Sequence, residues 1–172
     1  MRAWLLVVLL LLLPLTVGCS PAVEIDLADV RLTWDDSSTS TLYLYGFSLD
    51  SSGEVIAVVM MENPLEYPPE FTLPSRGWGR VAVVVWYADG TEPADPSLRI
   101  RGYLDEDEVL DETYGGPTLD DASPWWLAKL IRIDSEYLDV RDYEGPTVEE
   151  IEDLLGRARA KGLEPGAWVE LN

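Results

Sequence analysis

Val81-Ala82-Val83-Val84-Val85-Trp86-Tyr87-Ala88 is the stretch from which the fold is read. Valines and aromatics dominate it, residues that fit a pleated strand better than a helix. It is also too short for a buried helix, and Asp89-Gly90 closes it with a turn. The run is the clearest strand in the chain. Glu54–Met61 (EVIAVVMM) is a near-continuous apolar run, as a central strand would be. Thr41–Leu49 (TLYLYGFSL) is apolar on both sides, with Leu42 and Leu44 against Tyr43, Tyr45 and Phe47. Asp50-Ser51-Ser52-Gly53 links these last two runs as a compact hairpin turn.

Shorter signals flank this centre. Val23, Ile25 and Leu27 alternate with acids, and Val30, Leu32 and Trp34 alternate in the opposite phase, which predicts a bulge near Ala28-Asp29. Residues 63–79 hold Pro64, Pro68, Pro69 and Pro74 and are expected to be irregular. Ser97–Leu104 and Val109–Tyr114 read as a hairpin across Asp105–Glu108, Trp125–Ile133 and Tyr137–Tyr143 as two further strands, and Ala167–Leu171 as a last one. One helix is predicted over Val148–Lys161. Thr147 and Glu150 form a capping-box pair, and Val148, Ile151, Leu154, Leu155 and Ala158 make one stripe. Arg157, Arg159 and Lys161 complement the helix dipole before Gly162. The sum is a mainly β domain over residues 23–172. It reads as an antiparallel β-sandwich, immunoglobulin-like in general architecture but without the Cys–Trp–Cys signature, with one C-terminal amphipathic helix on one side or end.

The start of the chain has a different purpose. Met1-Arg2 precedes fifteen almost wholly apolar residues, 3–17, a length that suits a signal-peptide core rather than a membrane span. Leu15-Thr16-Val17-Gly18-Cys19 follows, and Cys19 is the only cysteine. This segment resembles the lipobox of bacterial lipoproteins, with Thr16 where Leu is usual. The resemblance implies removal of residues 1–18 after Gly18, diacylglycerol on the Cys19 sulfur and acylation of the new amine. Ser20 in place of Asp implies outer-membrane sorting in a Gram-negative host; otherwise the anchor would hold the protein on the outer face of the cytoplasmic membrane. Two or more acyl chains hold a protein stably where one binds only reversibly. Residues 19–22 would then be a short tether.

Charge bounds the partners. The chain carries 32 acids and 12 bases, net −20, with a pI near 4.1. Loss of the leader removes one base and no acid. Such a surface disfavours nucleic acid, whose binding requires basic residues, and adsorption to anionic lipid. High salt, heat or genome composition would each produce this acidic, Lys-poor, amide-poor chain.

Several chemistries are closed to it. There is no His, so no Ser-His-Asp triad and no imidazole metal ligand, and the one thiol is assigned to the anchor. No cofactor is implied. Carboxylate pairs run glycoside hydrolysis, but among 32 acids no pair stands out. Asp105, Asp107 and Asp111, with Glu106, Glu108 and Glu112, form the densest acidic cluster and are weak candidates for Ca2+. Leu110 occupies the position where an EF-hand loop needs Gly. Trp78, between glycines in the Pro-rich loop, and Trp125-Trp126, after a second loop, are the candidate ligand-binding residues, since exposed Trp beside acids stacks on sugars or anchors proteins. Adjacent strand residues face opposite ways, so only one of Trp125 and Trp126 need be core; the plainer alternative is that these rings seal the ends of the sandwich. The reading is therefore a lipid-anchored, non-enzymatic envelope lipoprotein with an acidic binding or assembly domain and an envelope protein as partner. The alternatives are a carbohydrate- or peptidoglycan-binding module and, behind it, a carboxylate hydrolase.

Overall fold

A computed structural model describes residues 28–33, 40–62, 70–72, 79–104, 107–133 and 138–171. The leader, Gly18, Cys19, Trp78 and Asp105 lie outside these residues. Ten strands and one helix follow in order: β1 (Ala28–Thr33), β2 (Thr41–Leu49), β3 (Val55–Glu62), β4 (Glu70–Thr72), β5 (Gly79–Asp89), β6 (Ser97–Leu104), β7 (Asp107–Gly115), β8 (Trp125–Ile133), β9 (Leu138–Asp142), α1 (Val148–Ala160) and β10 (Val169–Glu170). They make a four-stranded sheet, β4-β1-β6-β7, and a six-stranded sheet, β10-β3-β2-β5-β8-β9, antiparallel at every strand pair. Over the described residues the architecture is mainly β and sandwich-like, with a single C-terminal helix.

The large sheet is the middle of three layers. On one side, Leu42, Leu44, Val81, Val83, Val85 and Tyr87 pack with Leu98 and Ile100 of the small sheet. On the other, Tyr45, Phe47, Val58, Ala82, Val84 and Leu130 pack with Ile151, Leu154, Leu155 and Ala158 of α1. Residues of β5 thus alternate between two cores, and polar residues are excluded from both parities. That is the physical reason Val81–Val85 reads as an unbroken apolar run. Removing one such side chain from water contributes about 1.5–3 kcal/mol.

The helix is set by its ends. The Thr147 hydroxyl accepts from the Glu150 N–H, and the Glu150 carboxylate accepts from the Thr147 N–H at 2.8 Å. Gly162, at φ +88°, turns the chain out of the helix, a conformation that costs an L side chain.

One expectation needs correction. Residues 63–79 are not wholly irregular: Glu70–Thr72, directly after Pro68-Pro69, pairs as β4 on β1. Three residues free of Pro suffice for an edge position. The bulge or bend expected near Ala28-Asp29 compares β1 with residues 23–27, which lie outside the described ones; β1 itself keeps an unbroken register with β6 from Ala28 to Thr33.

Bulges occur elsewhere. Val83 pairs Lys129 and Val84 pairs Leu127, leaving Ala128 surplus. Ala128 and Lys129 consequently both point between the sheets. There the Lys129 ammonium lies 4.5 Å from the Tyr114 ring centroid and 3.0 Å from Asp142.

Candidate binding surface

Trp125 and Trp126 are strand residues rather than loop residues, and the pleat sends them to opposite faces of the large sheet. Trp126 leans on the inter-sheet core and Trp125 on the helix-side core, each only partly buried. Both rings therefore pack. A Cβ at Gly116 would lie 2.7 Å from the Trp126 ring and 2.9 Å from Pro96, so this glycine makes room for the indole. Trp78 lies outside the described residues.

The structure joins Trp125 to residues that the sequence reading did not single out as ligand-binding. Tyr43, Trp86 and Trp125 are register partners across β2, β5 and β8 on the helix side. Their ring centroids are 5.6 Å apart in both steps, with interplanar angles of 27° and 19°. Tyr45 adds a fourth ring, 6.2 Å from Tyr43 and 6.5 Å from Trp86. Such pairs contribute about 0.5–1.5 kcal/mol beyond area burial. The parity of β5 contains the signal: Trp86 shares a face with Ala82 and Val84.

Tyr45 is fully buried, and its hydroxyl makes no hydrogen bond of good geometry. Burial pushes it up to about 12, and the Arg159 guanidinium, in the last turn of α1, opposes that shift. Tyr45 therefore marks where α1 ends over the sheet, and Tyr43 and Trp86 lie one step beyond. The three rings of the ladder are half-buried. Stacking turns their faces toward one another, so what they offer water is mainly rims. Trp125 differs, because β9 pairs only with Lys129–Ile133 and no described strand flanks the indole's outer side.

No protein-family model, curated protein or solved structure matches the chain.

The acids are arranged differently from a hairpin-tip cluster. Asp107, Glu108, Asp111 and Glu112 lie along β7. Asp107 and Asp111 are four residues apart on a strand, roughly 13 Å, too far to share one ion. Among the described residues, no group of three His, Cys, Asp or Glu is placed to hold a metal. Asp111 accepts Arg99 Nε at 2.7 Å and Nη2 at 2.5 Å, and this pairing holds it below the usual carboxylate range. Glu112 accepts from the Tyr114 hydroxyl. Burial first and then Glu112 push that phenol upward.

A cleft of about 620 Å³ separates the β2–β3 turn from the first half of α1, with Val55 and Leu154 below and Glu54, Glu149 and Asp153 around it. Glu150 of the same cleft is committed to the capping box, which lowers its pKa. Asp50 is lowered by the Ser52 hydroxyl and nearby backbone N–H groups. Hydrogen bonds thus hold Asp50, Asp111 and Glu150 ionised, the reverse of the raised carboxyl that a glycosidase acid needs.

Proposed function

We propose that this chain is a lipid-anchored lipoprotein of the bacterial envelope whose acidic domain binds a partner and performs no reaction. The observation that carries the binding reading is the ladder of Tyr43, Trp86 and Trp125, left half-buried beyond the end of α1. Aromatic rings at the edge of water supply contact area at low entropic cost and are enriched in protein hot spots. The anchor reading rests on Leu15–Cys19 and on the placement of the sole cysteine. Its test is intact mass of membrane-purified protein: a mature chain beginning at a diacylglyceryl Cys19 is expected, and an unlipidated Cys19 there refutes it.

A second reading is a glycan-binding module, favoured by the unflanked outer side of Trp125. Intrinsic fluorescence decides between the two. Under the glycan reading, cell-wall saccharides shift Trp emission and Trp125→Ala abolishes the shift. Silence across a glycan array, together with specific capture from solubilised envelope that Trp125→Ala weakens, favours the protein partner. Absence of both removes the binding reading.

A further inference from the structure

Among the described residues the small sheet ends on β7, which pairs there only with β6. Seven of its nine residues are exposed, so the side away from β6 is open to an incoming chain. Beyond a bulge at Val109, Leu110–Gly115 keeps an unbroken register with β6. In an antiparallel strand alternate residues turn N–H and C=O away from the existing partner. Leu110–Gly115 therefore presents a regular set of unpaired backbone groups, the template that strand addition uses.

Charge decides what the edge accepts. Asp107, Glu108, Asp111 and Glu112 line it, and the strand holds no base. They occupy both faces: Asp111 meets Arg99 on the outer one, while Glu112 lies in register with the core residue Ile100. A second copy of this chain would set acid against acid in a molecule of net −20, which opposes self-pairing. A strand with Lys or Arg at alternate positions meets opposite charges instead.

We infer that β7 is a docking edge for a basic, extended segment of another protein, which adds to the four-stranded sheet as a fifth strand. The inference rests on the binding reading above and names the class of partner, on a surface separate from the aromatic ladder.

The test is fluorescence anisotropy of the full chain with a labelled ten-residue peptide of alternating Lys and Thr. Controls are its Glu-Thr counterpart and the Lys-Thr peptide with its amides N-methylated. Binding of the Lys peptide is expected to weaken about tenfold between about 50 and 300 mM salt. N-methylation, which keeps the charge and removes the backbone donors, is expected to weaken it at least about tenfold more. Glu108→Lys with Glu112→Lys is expected to cost at least about tenfold and to admit the Glu peptide. Should that variant misfold, amide hydrogen exchange on the unaltered chain replaces it, with new protection confined to β7 expected. Equal binding of the methylated peptide, or protection spread over the whole surface, overturns the inference in favour of diffuse charge attraction. Failure of the Lys peptide to bind overturns the inference alone if the ladder still captures a ligand; if neither surface binds, the underlying reading falls with it.

Discussion

The two sheets are built from the same kind of antiparallel pairing, yet they stand in different solvents. The six-stranded sheet has protein on both sides, and β5 buries five consecutive residues, Val81–Val85. In the four-stranded sheet, β6 alternates Leu98 and Ile100 inward with Arg99 and Arg101, while β7 is largely exposed. A strand's composition therefore reports how many of its faces are dry rather than how it pairs. It follows that equal substitutions should have unequal effects in the two sheets.

The largest difference is expected from truncation. Phe47→Ala in β2, fully buried under α1, should cost about 3–5 kcal/mol in chemical denaturation. A loss below about 1 kcal/mol would mean that the helix side is not a true core.

Alkali gives the next effect. The Tyr45 hydroxyl is raised from 10.0 to about 12 by burial. Below pH 10 folded and unfolded chains both keep this proton. Between about 10 and 12 the unfolded chain sheds it and the folded chain keeps it, so stability falls as pH rises, by about 2–3 kcal/mol at the upper end. Tyr45→Phe should flatten that decline, as read from denaturation midpoints over this range. An unchanged slope would place the hydroxyl in water.

A smaller effect tests the cover itself. Thr147→Ala removes the α1 cap and should cost about 1 kcal/mol, with faster amide exchange confined to the first turn. Smallest of all, Thr113→Ala on exposed β7 should stay within about 0.5 kcal/mol. A larger loss there would show that the small sheet's outer face is covered after all.

The same distinction explains what could be read in advance. Val81–Ala88, Thr41–Leu49 and Trp125–Ile133 were legible because long apolar runs have few alternative explanations, and Thr147–Glu150 because a capping box is local chemistry. Glu70–Thr72 was not, since three residues between prolines pair only because β1 lies beside them. The aromatic ladder was half legible. Trp125 was visible as a residue, but its neighbours Tyr43 and Trp86 come from β2 and β5, 82 and 39 residues earlier in the chain, and register alone unites them. The acidic cluster was seen as a tip because sequence adjacency looks like spatial clustering; a strand pulls such residues apart by about 3.3 Å each.

The surplus residue in β8 has one more consequence. Ala128 acts as a comma between two clauses of the strand: Leu130 and Ile131 obey one phase, Trp125 and Trp126 the other. Strike it out, and Lys129 and Leu127 become neighbours opposite Val83 and Val84, so the strand alternates evenly and both indoles keep their faces. Keep every residue but flatten the bulge, with the Ile131 end held, and Trp126 would turn to the helix side opposite Trp86 while Leu127 would turn toward the space beside Gly116. The bulge thus lets the strand carry one extra residue while each indole keeps the face it serves.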